Sequence, residues 1–166
     1  MSNLQIDVGR STVYTNGGMV CSVSPLAASV GVGVLRDGGN AFDAAIATAA
    51  AECVTVPSMC GLGGESFAIM YEARTGKVFG LSSSGQAPMS ANREYFRSLG
   101  YNTMPLTGPL SAAIPGEVDS YITILEKFGT RSLRKLIEPA IGFAEEGYPI
   151  PPIQSVNFRQ EIDKLN

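Results

Sequence analysis

Hydrophobic positions along the chain switch between helical and alternating periods, and the switches are punctuated by proline, glycine and capping residues. Ser24-Pro25, followed by Leu26-Ala27-Ala28-Ser29-Val30 and closed by Asp37-Gly38-Gly39, predicts a helix with Ser24 as N-cap and Gly38 as stop. Asn40 caps a second helix over 41–56, ended by Pro57. Its many alanines leave little bulk, so it can approach a neighbour closely and should be buried. Residues 58–65 form a glycine-rich turn. Residues 66–73 and 77–81 flank Arg74-Thr75-Gly76 as a β-hairpin.

Beyond the hairpin, 82–88 reads as irregular and Ser90 as the cap of a short helix through Arg97. Residues 101–114 read as a loop. Residues 116–127 are helical by the spacing of Val118, Tyr121, Ile122 and Leu125. Ser132 caps a further helix stopped at Gly147, with Pro149, Pro151 and Pro152 behind it, and 154–166 is helical without a stop signal after Leu165. The order of helices, one hairpin, then helices is an α+β pattern. Two strands cannot cover so many apolar helices, so the sheet should be completed by chain outside these 166 residues.

Composition narrows the chemistry. With 45% hydrophobic and 16% charged residues the chain is globular in type, and a net charge of −3 argues against a nucleic-acid partner. Few charges and 19 glycines also fit a chain that hides surface against something else. No run approaches the roughly 20 apolar residues of a membrane span. Residues 1–16 are polar, with Asp7 and Arg10 and no apolar core of a leader, which predicts a cytoplasmic location. There is no histidine, so a Ser-His-Asp triad, a Cys-His dyad and most zinc sites are excluded within this chain. Cys21, Cys53 and Cys60 form no CxxC pair and read as small core residues. No cofactor or metal signature is present.

Each short motif has two readings. Gly61-Leu62-Gly63-Gly64 could cradle an anion, but it follows a helix and precedes a strand, so a tight turn needing positive φ is the plainer reading. Ser132-Leu133-Arg134-Lys135 matches S-x-x-K, although Ser132 is fully explained as an N-cap. Glu145-Glu146 could be paired acids or solvated charge at a helix end. Ser82-Ser83-Ser84-Gly85 could hold a nucleophile or offer hydroxyls and N–H groups to a substrate; without histidine, only a lysine or an external amine could activate such a serine.

Together these segments resemble the gamma-glutamyltranspeptidase family. The resemblance is carried by Gly18-Met19-Val20, Ser24-Pro25-Leu26-Ala27, Gly38-Gly39-Asn40-Ala41-Phe42-Asp43-Ala44-Ala45 and Gly61-Leu62-Gly63-Gly64. It continues through Ala87-Pro88, Pro115-Gly116-Glu117-Val118, and the run from Phe128-Gly129-Thr130 through Pro139-Ala140 to Glu146-Gly147. It implies an N-terminal-nucleophile hydrolase: a proenzyme that cuts itself into two subunits, which together build one αββα sandwich. Residues 1–166 would be the N-terminal portion of that single domain, on a large subunit that continues beyond Asn166. The nucleophile would be the first threonine of the small subunit, with its own α-amino group as base and no metal or cofactor. Thr103, Thr107, Thr123 and Thr130 lie inside the large-subunit region and are not candidates. The partner would be that small subunit, with a dimer of heterodimers as a further expectation.

One departure bears on substrate. The family's gamma-glutamyl enzymes carry an Arg-Glu pair before Ala-Pro, the arginine gripping a substrate carboxylate. Alignment on Ala87-Pro88 puts Ser84 and Gly85 in those places, with Gln86 next, and makes these three the expected substrate-binding residues. A charge-assisted clamp is worth about 1.5–3 kcal/mol, so its loss costs roughly ten- to a hundredfold in discrimination. Arg93 and Arg97 could replace it only if they turn inward. The resemblance then implies hydrolysis of a small polar amide of the oxamate type, with gamma-glutamyl transfer or hydrolysis, and a non-catalytic binding homologue or fragment, as alternatives.

Overall fold

The computed structural model describes residues 11–160 and Ile162. The N-terminal stretch with Asp7 and Arg10, and the chain end at Leu165 where no stop signal was found, lie outside the described residues. The elements are α1 (Pro25–Arg36), α2 (Ala41–Thr55), β1 (Phe67–Glu72), β2 (Lys77–Ser82), α3 (Arg93–Ser98), a single 3-10 turn (Pro109–Ser111), α4 (Glu117–Phe128), α5 (Leu133–Glu146) and α6 (Pro152–Gln160). This is the α+β order that the sequence predicts. Among the described residues no helix is long and apolar enough to cross a membrane.

The caps act as the local chemistry requires. Ser24 Oγ accepts from Ala27 N–H at 3.3 Å and Ser132 Oγ from Lys135 N–H at 3.4 Å, so the S-x-x-K serine is occupied as a cap. The short helix starts later than expected, because Asn92 rather than Ser90 accepts from Tyr95 N–H, at 2.9 Å. Ser90 lies in the turn closed by Ala91 N–H on Pro88 O, where its side chain cannot reach the first helical amides. The glycine turn is also built differently: Gly61, Gly63 and Gly64 are absent from the positive-φ residues. Closeness is what Gly64 supplies, since a Cβ there would stand 3.1 Å from Gly61 O.

α2 is the centre of the helical layer, with α1 and α5 against it and α4 beneath. Ala44, Ala47, Ala50 and Ala51 are buried as expected, whereas Ala41 and Ala45 are exposed. Contact with α1 is tight enough to demand glycine at 31, where a Cβ would meet Thr48 Oγ1 at 2.2 Å. α5 adds Leu136 and Ala140, and α4 adds Tyr121 and Ile124. The α4 face therefore differs from the expected one: Val118 and Ile122 are exposed, and the inward row is Glu117, Ser120, Tyr121 and Ile124.

One carboxylate ties these helices together. Asp43, fully sealed from solvent, closes a capping box by accepting from Asn40 N–H at 2.9 Å. It also accepts from Thr130 N–H at 2.9 Å, Thr130 Oγ1 at 2.5 Å and Arg131 N–H at 3.2 Å. Asn40 Nδ2 donates to Phe128 O at 2.6 Å, so the start of α2 is bound to the α4–α5 junction twice. Burial works to raise the Asp43 pKa; the hydrogen bonds from Thr130, Asn40 and Arg131 together outweigh it and hold the carboxyl below its ordinary 3.8.

β1 and β2 pair antiparallel with Glu72 opposite Lys77, which makes the connection one residue longer than the expected Arg74-Thr75-Gly76. One face, with Ala68, Met70 and Leu81, packs on the helical core. The other is bare: Phe67, Ile69, Tyr71 and Val78 are all exposed, Ile69 at 89%. Each such side chain gains about 1.5–3 kcal/mol when buried, and apolar patches of this kind mark contact surfaces.

Three outcomes are expected for the whole protein. Asp43→Ala should cost about 2–4 kcal/mol in thermal or denaturant unfolding, because it strands buried donors. Because the Asp43 pKa is depressed on folding, its contribution is present above pH ~4 and fades as pH falls through the folded value; an acid-unfolding profile of Asp43→Asn should lack that component. Ile69→Asp should lower stability by at least about 2 kcal/mol while Ile69→Val is tolerated. An unchanged melting temperature for Ile69→Asp would mean that this face stays open in the whole protein.

Candidate functional site

The three expected substrate-binding residues sit where β2 runs out. Their position is set from Ser83, which is held against the start of β1 and the first turn of α4. Ser83 N–H donates to Ser66 O at 3.0 Å, and Ser83 Oγ accepts from Ser66 N–H at 2.8 Å. Ser66 Oγ donates to Ser120 Oγ at 2.6 Å, and Ser120 Oγ to Glu117 O at 2.7 Å. The same junction is closed from the other side by Gly116 and Glu117, whose N–H groups donate to Gly64 O at 2.9 and 3.1 Å. A Cβ at Gly116 would stand 1.8 Å from Ser83 O, so no other residue allows this approach. Gly61–Gly64 and Pro115–Gly116 are thus parts of one clamp.

From that anchor the chain presents Ser84, half-buried, with Oγ 3.4 Å from Ser82 Oγ. Gly85 has φ +67°, and a Cβ there would lie 2.9 Å from Ile114 Cβ and 3.1 Å from Ile114 O. Gln86 is exposed. The three residues border one cavity of about 290 Å³ that also takes in Phe96, Met104 and Ile114. Arg93 and Arg97 are not among its lining residues: they line an adjoining groove with Tyr101 and Asn102 that shares Ala91, Phe96 and Met104 with it.

Among the described residues no activated nucleophile stands at this place. Burial pushes the thiols of Cys53 and Cys60 up, and burial with hydrogen bonds to Glu117 and Cys53 pushes the Tyr121 hydroxyl up. Thr130 is engaged with Asp43. Glu145 and Glu146 are exposed at the end of α5. Sequence reasoning missed Ser66, Ser83, Ser120 and Ile114 as the residues that position the loop. The close approach at Gly116 had a signal, Pro115-Gly116 before a helix, but its partner could not be read from sequence.

Comparison with known proteins agrees with this architecture. The family model described as Gamma-glutamyltranspeptidase matches residues 27–166. The chain is 35% identical over 166 residues to the glutathione hydrolase proenzyme of Bacillus subtilis (strain 168), covering 98% of this chain and 27% of that protein. It is 37% identical over 148 residues to the glutathione hydrolase-like YwrD proenzyme of the same organism, covering 89% and 28%. Among solved structures, cephalosporin acylase from Bacillus halodurans superposes with a TM-score of 0.87 at 37% identity, covering 97% of this chain and 30% of that one. Helicobacter pylori gamma-glutamyltranspeptidase superposes with a TM-score of 0.83 at 35% identity, covering 91% and 44%. The chain spans about a quarter of the length of these curated relatives. Its helices and hairpin are the opening of an N-terminal-nucleophile hydrolase fold, and the chain belongs to the gamma-glutamyltranspeptidase family.

Proposed function

We propose that this chain is the N-terminal part of the large subunit of a self-cleaving amide hydrolase, completed by a small subunit that begins with the nucleophilic threonine. Membership of the family and the proenzyme names of its relatives support the processing. The bare apolar face of the hairpin supports a covering layer supplied by the remaining chain. In the reaction the threonine hydroxyl adds to the amide carbonyl while its α-amino group takes the proton and passes it to the leaving amine. Water then cleaves the acyl ester and restores the threonine.

The observation that carries the substrate reading is the neutral loop at Ser84, Gly85 and Gln86, held in place by the Ser83 clamp. A serine hydroxyl and a carboxamide offer neutral hydrogen bonds, which suit a small polar amide, oxamate among the first compounds to try. They provide no bidentate cation for an α-carboxylate. Gamma-glutamyl hydrolysis is the second reading, favoured by the names of the curated relatives; its carboxylate would have to be gripped from outside this loop. The cytoplasm is the proposed location, and a dimer of heterodimers the proposed assembly.

N-terminal sequencing and intact mass of whatever co-purifies with the chain should find a companion that starts with threonine. A 17.4 kDa species found alone would favour the binding-only reading. With the two-chain protein in hand, glutamate or glutathione at millimolar concentration should leave hydrolysis of simple amides unchanged. Competition by either would move the balance to gamma-glutamyl chemistry.

A further inference from the structure

The cavity beside the 84–86 loop has a chemical character that the loop alone does not reveal. None of the residues that line it is charged. Phe96, Met104, Leu110 and Ile114 supply apolar walls, and Ser84 and Gln86 supply the neutral polar groups. Its volume of about 290 Å³ is about twice the roughly 150 Å³ of an apolar cavity that holds benzene. Arg93 and Arg97 line the adjoining groove, which shares Ala91, Phe96 and Met104 with the cavity.

The loop is fixed in this neutral form by its backbone. Gly85 sits in the left-handed region at φ +67° with Ile114 directly against it. A charged side chain at 85 would need both a disfavoured backbone and a displaced Ile114. Ser84 precedes this pinned glycine and follows the anchored Ser83, so its place at the cavity is also set. A carboxylate entering such a pocket would lose water without gaining an ion pair, a cost that an alkyl or aryl group does not meet.

We propose that this cavity is the acyl subsite of the enzyme and that it selects an uncharged acyl side chain of about four or more carbons over a carboxylate-ended one. The proposal deepens the amide-hydrolase reading and rests on it. It ranks oxamate, whose acyl part is a carboxylate, below neutral amides.

The test compares pentanamide with glutaramate, which differ only by a terminal methyl against a terminal carboxylate, in the complete processed protein. Acetamide, too short to fill the cavity, serves as control. Ammonia release should give a kcat/KM for pentanamide at least tenfold above that for glutaramate. Leu110→Lys should bring that ratio down by about tenfold or reverse it, and Met104→Trp should raise KM for pentanamide. A wild-type preference for glutaramate, or a ratio unmoved in Leu110→Lys, overturns the proposal. If none of the amides is hydrolysed, the amide-hydrolase reading fails. The pocket is then judged by calorimetry: pentanamide binding that glutaramate does not match and Met104→Trp abolishes upholds the neutral pocket, and equal or absent binding overturns it.

Discussion

The structure depends first on a single sealed carboxylate. Asp43 must stay ionised without water, and it does so because every donor around it is fixed by backbone or by a short side chain: the amides of Asn40, Thr130 and Arg131 and the hydroxyl of Thr130. Only an acceptor-only group fits such a ring of donors; an amide would present its own NH₂ to at least one of them. Satisfying the carboxylate brings the start of α2 to the α4–α5 junction. Phe128 then stacks on Phe42 at 4.7 Å and meets Phe79 of the hairpin at 5.0 Å. The orientation of β2 relative to the helices thus descends from a charge sealed inside the helical layer.

From β2 the constraint passes to the loop through hydroxyls. Ser66, Ser83 and Ser120 form a short chain whose last member is bonded to Glu117 O of α4, and Gly116 allows the Ser83 carbonyl to come close. Neutral hydrogen bonds of this kind contribute about 1 kcal/mol each. Their value here is positional, since they fix the residue immediately before Ser84 from both sides. A loop held this way is pre-organised, and were it to bind substrate as proposed, less of the binding energy would go into ordering it.

Features set by neighbours in sequence were legible from the residues alone. Ser24, Asn40 and Ser132 reach amides three residues ahead, so their capping follows from local geometry. Asn92 defeated the same rule only because Ser90 is caught in the turn before it. Asn40-x-x-Asp43 could be seen as a cap box, but the burial of Asp43 could not, because its other donors come from Thr130 and Arg131 far along the chain. On α4, Tyr121 and Leu125 of the expected apolar row meet the core, whereas Val118 and Ile122 do not. Val118 and Ile122 have the right spacing for a core, yet among the described residues nothing buries them. At the candidate site, Ser84, Gly85 and Gln86 are what the family resemblance implies when aligned on Ala87-Pro88, whereas the approach of Ile114 to Gly85 and the groove that holds Arg93 and Arg97 exist only in three dimensions.

The placement of charge has a consequence for how such a site would respond to pH. The chain commits its sealed carboxylate to structure and lines the candidate cavity with groups that do not titrate near neutrality. Recognition there would rest on shape and neutral hydrogen bonds, so substrate affinity should be flat across the pH range in which the fold persists. On the proposed mechanism, any sharp pH dependence of turnover would then belong to the α-amine of the threonine nucleophile, outside these residues. A steep change in affinity itself would instead require an ionisable group brought to the cavity by the rest of the protein. The two cases separate in KM against kcat, because binding and proton transfer act on different terms.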